Sequence, residues 1–328
     1  MGGAEALAAA ARHLAAGGLV ALPTETVYGL AARADDDAAC ARIFDAKGRP
    51  PDHPLIVHVT DARAAQAFAA TWPDAAQRLA AAFWPGPLTV IVPRRAGVAQ
   101  AAAGGLPTVG LRCPAHPMAQ ALLAAAARLG VPGVAAPSAN RFGRISPTTA
   151  AHVRHEFPAE VASGALVVLD GGPSDVGIES AIVDCSGAQP ALLRPGQLGA
   201  AALAAALGQP LAAAGPGATK APGTLASHYA PRARLHLLTT AALAQALGGP
   251  AQPGVAVYCR TELAVTPGWH IQPMPVDADA AARALFAALR ALDGQGVDQI
   301  WVEVPPAQPA WDGVRDRLRR AASPFLES

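Results

Sequence analysis

The sequence predicts an α/β protein: a twisted, mixed open sheet with helices on its faces, then a linker and a smaller α/β domain. Three observations carry this. Apolar runs of strand length recur along the chain, separated in places by stretches of helical period. Up to about residue 207 several runs follow one another directly, which a regular doubly wound sheet does not allow. After residue 232 runs and helical stretches alternate, the pattern of a parallel sheet.

In chain order, the Ala-rich start is amphipathic to about Ala16 and stops at Gly17-Gly18. Glu5, Arg12 and His13 interrupt it, and it lacks the basic start and cleavage pattern of a signal peptide. "LVALP" reads as a buried strand. Asp35-Asp36-Asp37 would cap a helix to about Ala46, with carboxylates at its positive end. "PLIVHV" is a second strand, and Asp61 would start another helix. "PLTVIV", "TVGLR", "GVAAP", "ALVVLD", "SAIVD" and "ALLRP" are further strands, with helices near 115–129 and 147–156. Residues 208–232 are rich in glycine and proline and read as a linker between a 1–207 domain and a 233–328 domain. Beyond it come "RLHLL", a helix at 240–247, "GVAVYC", a helix at 278–292, "QIWVEV" and a helix at 311–322.

The 328 residues are 52% hydrophobic and 15% charged, enough for a large core. A net charge of +1 gives no general pull toward nucleic acid or membrane. No uninterrupted apolar run reaches the ~18 residues of a membrane span, and the expected location is cytoplasmic. Cys40, Cys113, Cys185 and Cys259 lie far apart without a CxxC pair, so reduced thiols are expected and a zinc or redox motif is not.

"IFDAKGRPPDHPLIVHV" concentrates Lys47, Arg49, His53 and His58 before and within an apolar run. Read as extended backbone, Lys47 and Arg49 face one side and Gly48 leaves room for a ligand. Two cations so placed suit a polyphosphate or a carboxylate; the alternative is a solvated basic turn. In "PTETVYGLAA", Thr24, Thr26 and Tyr28 alternate and would line a pocket or simply end a strand. Arg112 closes an apolar strand and needs a partner or a ligand. Ser138 and Asn140 offer donors and acceptors suited to phosphate or ribose, and Ser180 and Arg194 lie at strand edges. Four cations near strand ends, interleaved with hydroxyls, point to a small anion. The chain has no G-x-x-x-x-G-K-[ST] loop, no G-x-G-x-x-G after the first strand and no G-x-S-x-G elbow. His152 and His155 lack a third ligand and read as surface residues.

"PTETVYGL", "KGRP…PLIVH", "FWPGPLTVIV", "VGLRCPAHP", "PSAN…SPT", "ESAIVD" and "LLRPG" occur in the order of the YrdC-like family, which residues 5–207 resemble. "APGTLASHYAP" and the C-terminal α/β stretch are similar to its longer, two-domain members. The resemblance implies a large concave basic cavity and a Rossmann-like second domain. It also implies the activity of an L-threonylcarbamoyladenylate synthase. L-Threonine, bicarbonate and ATP would give threonylcarbamoyl-AMP and pyrophosphate. A separate tRNA threonylcarbamoyltransferase would use the product to form the t6A base. Mg2+ would be held mainly by the ATP phosphates.

By motif, Lys47, Arg49, His53, Thr108, Ser138, Asn140, Ser146, Arg194 and Tyr229 would bind ATP. Thr26, His58, Arg112, Ala136 and Ser180 would bind threonine. Lys47 and Arg49 are the expected catalytic pair, and no side-chain metal site is expected. Three positions depart from the family pattern: His53 stands where Asn is usual, Phe142 replaces a small polar residue, and Ala181 replaces Thr. The competing reading is a double-stranded RNA or nucleotide-binding module of the same fold without catalysis, with weak RNA contact. A hydrogenase-maturation type of carbamoyl chemistry lacks its extra modules here.

Overall fold

A computed structural model describes residues 3–213, 215 and 217–323. It begins with α1 (Gly3–Ala15), β1 (Leu19–Leu22), β2 (Gly29–Arg33) and α2 (Asp37–Lys47). The Asp36 carboxylate caps α2 by accepting from the Ala38 and Ala39 N–H groups, and Gly48 ends it at φ 62°. Lys47 therefore closes a helix and is not in extended backbone. Gly48 supplies the left-handed turn between Lys47 and Arg49, and the space beside it is open. Then follow β3 (Ile56–His58), α3 (Ala62–Ala65), α4 (Asp74–Phe83), β4 (Leu88–Pro93), β5 (Thr108–Arg112), α5 (Pro117–Ala127) and β6 (Val134–Ala135). Next come α6 (Ala150–Glu156), α7 (Pro158–Ala162), β7 (Leu166–Val168), β8 (Ala181–Asp184), β9 (Ala191–Arg194), α8 (Ala200–Leu207) and β10 (Ala212–Ala213).

These ten strands form one open mixed sheet in the order β10-β9-β8-β4-β5-β3-β6-β2-β1-β7. Alternation splits β1 between two cores: Leu19 and Ala21 face one, Val20 and Leu22 the other, under α1 and α5. Across the middle, β3 pairs in parallel with β5, so that His58 lies beside Arg112. A third apolar patch of Ile56, Ile91, Ile182 and Leu193 meets Ala221 of the linker. The linker thus packs over this patch of the sheet.

The second sheet is wholly parallel, in the order β11-β14-β12-β13. Its elements are β11 (Arg234–Leu238), α9 (Thr240–Leu247), β12 (Val255–Cys259), β13 (His270–Pro273), α10 (Ala278–Asp293), β14 (Gln299–Glu303) and α11 (Asp312–Ala322). The sequence reading anticipated all of these except β13, which is short and polar. In the first domain it also missed β2, α4, α7 and α8, and the β10 strand inside the presumed linker. One apolar cluster joins the two sheets: Val27, Ile145, Val176, Ile178 and Tyr229 pack with Phe286, Leu289 and Leu318. Among the described residues no helix is long and apolar enough to cross a membrane, and all four cysteines are buried and free.

Candidate active site

The central strands end under the linker in one cavity. α2 delivers Lys47 and its C-cap turn delivers Arg49; β3 delivers His58, β5 Arg112 and β9 Arg194. The loop after β1 brings Thr26, the segment after β6 brings Ala136, Ser138 and Asn140, and Ser180 precedes β8. Tyr229 roofs the cavity from the linker. Eleven of the fourteen residues named from the sequence therefore line a single hollow.

Three do not. His53 lies in an adjoining hollow of about 100 Å3, edge-on to Phe142 at 5.4 Å. Thr108 opens β5 at a separate crevice of about 10 Å3. Ser146 sits behind the wall, donating its hydroxyl to Glu179 Oε1. Tyr28, read as a pocket residue, points away: its hydroxyl donates to the Gly172 carbonyl at 2.7 Å. His152 is half-buried rather than superficial, and its Nδ1 accepts from the Thr148 N–H.

The four cations are nearly sealed from solvent, Lys47 at 2%, Arg49 at 7%, Arg112 at 4% and Arg194 at 3% exposure. They fall into two classes. Arg112 is paired: Nη2 donates to Glu25 Oε1 at 2.6 Å and Nη1 to Thr26 Oγ1 at 2.8 Å. The other three meet no carboxylate within ion-pair distance among the described residues. Lys47 Nζ donates to the carbonyls of Ser138, at 2.6 Å, and Asn140. Arg49 Nη2 donates to the Pro54 carbonyl at 2.8 Å. Arg194 donates to the carbonyls of Ser180 and Pro222 and to Ser180 Oγ. Burial, then the Arg49 charge, pulls the Lys47 ammonium well below the usual lysine range. Burial likewise brings Arg49 down to about 10.

His58 is neutral, pushed down to about 3 by burial and then by Arg112. Its Nδ1 faces the Ile56 carbonyl at 3.2 Å and so carries the proton, leaving Nε2 as an acceptor. His228, which the sequence reading did not single out, also lines the cavity, stacked edge-on against Tyr229 at 4.1 Å. Burial and four surrounding cations hold it well below the usual imidazole range. Burial raises the Tyr229 phenol to about 12. Four buried polar atoms with no hydrogen-bond partner among the described residues line this one cavity: Arg49 Nε, Asn140 Oδ1, His228 Nδ1 and the Tyr229 hydroxyl. Buried polar atoms are rarely left orphaned, and four together mark a ligand site.

The cavity as the linker leaves it is small, about 40 Å3, room for two or three waters. The sequence led us to expect space for a triphosphate beside an amino acid. The residues converge, but Pro222, Gly223, His228 and Tyr229 occupy that space. Gly223, at φ 72°, passes so close that a Cβ there would lie 2.3 Å from the Tyr229 hydroxyl and 2.7 Å from Arg194 Nη1. Tyr229 itself holds a left-handed φ of 64°, a conformation costly for a tyrosine. Lys220 ties this segment to Asp52 at 3.1 Å.

Glu179 is another residue the sequence reading passed over, although a carboxylate beside the apolar "SAIVD" run requires a partner. It is the one carboxylate on the wall among the described residues, and its oxygens accept from Ser146 and from Arg317. No three His, Cys, Asp or Glu side chains among the described residues converge on a metal position.

An open mixed sheet with a strapped, cation-lined hollow at its strand ends defines an α/β protein with one enclosed basic cavity. Comparison with known proteins gives the particular family. A model described as "Telomere recombination" (Sua5_yciO_yrdC) matches residues 12–196, and one described as "Threonylcarbamoyl-AMP synthase, C-terminal domain" matches residues 197–323. The chain belongs to the Sua5/YciO/YrdC family. It is 36% identical to the threonylcarbamoyl-AMP synthase of Pyrococcus abyssi, over 95% of this chain and 93% of the relative. It is also 36% identical to that of Bacillus subtilis, over 96% and 92%. Its fold superposes on the crystal structure of P. abyssi Sua5 complexed with L-threonine with a TM-score of 0.84, at 35% identity, covering 96% of this chain and 94% of the other.

Proposed function

We propose that this protein is a threonylcarbamoyl-AMP synthase, a nucleotidyltransferase that joins L-threonine, bicarbonate and ATP and releases pyrophosphate. The observation that supports it is the division of the cavity's cations into two classes. Among the described residues no carboxylate pairs with Lys47, Arg49 or Arg194, which suits a triphosphate. Arg112 is already paired with Glu25, and the neutral His58 lies in register beside it. Those two suit a zwitterion: the ammonium of threonine toward His58, its carboxylate sharing Arg112, its hydroxyl toward Thr26 or Ser180.

The amine of threonine bonds to the carbon of CO2 released from bicarbonate and loses a proton, giving a carbamate. A carbamate oxygen then bonds to the α-phosphorus while the α–β bridging bond breaks, and pyrophosphate leaves with the electron pair. Holding the reactants in line supplies most of the gain, and the three unbalanced cations stabilise charge developing on the phosphoryl oxygens. Glu179 has both its oxygens engaged, so Mg2+ would be held mainly by the nucleotide's phosphates and would balance part of their charge. The carbamate and the mixed anhydride both hydrolyse, so the linker acts as a lid: residues 220–229 lift to admit substrates and close to exclude water. The product passes to a tRNA threonylcarbamoyltransferase.

Double-stranded RNA is disfavoured as the ligand, because the cations are too deeply buried to reach a polymer backbone. The test is incubation with ATP, bicarbonate and a panel of amino acids, reading pyrophosphate. Release that depends on threonine is expected, falling by about 100-fold in Lys47→Ala or Arg49→Ala while the circular dichroism spectrum is kept. No threonine dependence, or wild-type turnover in both variants, rules the proposal out.

A further inference from the structure

Arg317 lies on α11 of the small domain and forms no part of the cavity lining, yet it is 0% exposed, packed behind the cavity wall. Its Nε donates to Glu179 Oε2 at 2.9 Å and its Nη2 to the Glu179 carbonyl at 3.0 Å. Nη1 donates to the Pro195 carbonyl at 2.7 Å and to Asp316 Oδ2 at 3.1 Å. The guanidinium carbon stands 5.5 Å from the centre of the Tyr229 ring. One side chain from the second domain thus grips the segments that carry Glu179 with Ser180, Arg194, and the linker tyrosine. Asp316 does not monopolise it, since Arg319 and Arg320 also donate to Asp316 Oδ1, at 3.2 and 3.0 Å.

The consequence is electrostatic and falls inside the cavity. Among the described residues Lys47, Arg49 and Arg194 donate only to carbonyl and hydroxyl oxygens, so their charge remains available to a ligand. Glu179 is the wall's one carboxylate among the described residues. Left to itself it would offset one of those cations and repel an anion entering beside Arg194. Ser146 holds one of its oxygens and Arg317 the other, so its charge is balanced from outside the cavity. We infer that Arg317 is a positioning residue through which the small domain completes the nucleotide site: it pins Glu179 and cancels its charge, leaving three cations for the phosphates. This rests on the functional reading above, and the small domain then becomes part of the active site rather than an appendage.

Two substitutions separate charge from geometry. Arg317→Gln keeps a hydrogen-bond donor and removes the charge; Arg317→Lys keeps the charge and loses the planar fork. The assay reads pyrophosphate at varied ATP and varied threonine, with melting curves to confirm folding. Arg317→Gln is expected to raise the ATP KM about tenfold or more while the threonine KM moves less than about threefold. Arg317→Lys is expected to recover most of the ATP KM. Adding Glu179→Gln to Arg317→Gln is expected to lower the ATP KM again by about fivefold or more, because no charge is left to cancel. An unchanged ATP KM in Arg317→Gln overturns the inference. So does an equal rise in the Gln and Lys variants with no recovery in the double variant. If Arg317→Gln does not fold, the double variant is compared with Arg317→Lys: ATP KM values within about tenfold of each other support the inference, and a wider gap overturns it. A wild-type chain that releases no threonine-dependent pyrophosphate refutes the functional reading instead.

Discussion

His58 illustrates what burial does to a single residue here. In an unfolded chain an imidazole takes up a proton near 6.5. In the folded protein burial and Arg112 push it to about 3. Between those values the unfolded state binds the extra proton, so the stability His58 contributes is complete above about 6.5 and is lost as pH falls toward about 3. Over the two units from pH 6.5 to 4.5 this amounts to about 2 to 3 kcal/mol. Urea unfolding at both pH values should therefore show wild type losing that much more stability than His58→Gln; parallel losses in the two proteins would contradict a neutral His58. The sequence showed that His58 ends an apolar run, and hence that it is buried. It did not show that Arg112 lies in register beside it, which is a property of β3 and β5 pairing across the sheet.

The elements show where local rules sufficed. β5 and β8 match "TVGLR" and "SAIVD" to within a residue, and the caps at Asp36 and Asp61 stand where short carboxylates precede helical periods. The turn at Lys47-Gly48-Arg49 was misread because glycine suits an extended segment and a left-handed C-cap alike; the φ of 62° at Gly48, with the Gly48 and Arg49 N–H groups donating to the Asp45 and Phe44 carbonyls, marks the cap. The loop before β8 carries a requirement invisible in one dimension. Gly177, at φ 81°, lies against α10 so closely that a Cβ would stand 2.4 Å from Arg283 Cα. Gly177→Ala is expected to cost about 2 kcal/mol or more, backbone strain plus overpacking. Gly172→Ala, at φ 83° with open space around it, is the control and should cost only the strain, about 1 kcal/mol. Guanidinium chloride unfolding measures both; equal losses would mean that the contact with α10 carries no weight.

At the scale of the whole molecule the two sheets are not independent. The cluster containing Val27, Ile145, Val176 and Ile178 is completed by α10 and α11. Residues 1–207 have cores of their own and are expected to unfold cooperatively when expressed alone. Without α10 and α11 the first domain's half of that cluster is exposed and Glu179 loses Arg317, so the melting temperature is expected to fall by about 10 °C. Calorimetry of the fragment checks this: no cooperative transition would deny it domain status, and melting together with the full chain would show the interface to be energetically idle.

By itself the sequence determined the periodicities, and with them most strands and helices, because a strand or helix is read from neighbours two to four residues apart. It also singled out residues of the site, eleven of which do share one hollow. Only the tertiary structure decided which of the cations would be balanced. Arg112 finds Glu25 from 87 residues away, and Arg317 finds Glu179 from 138. It also decided that the linker would fill the cavity rather than merely join two domains. The reason is physical: a buried charge must be met by whatever group the fold brings within hydrogen-bond reach, and that reach is set by packing rather than by order along the chain.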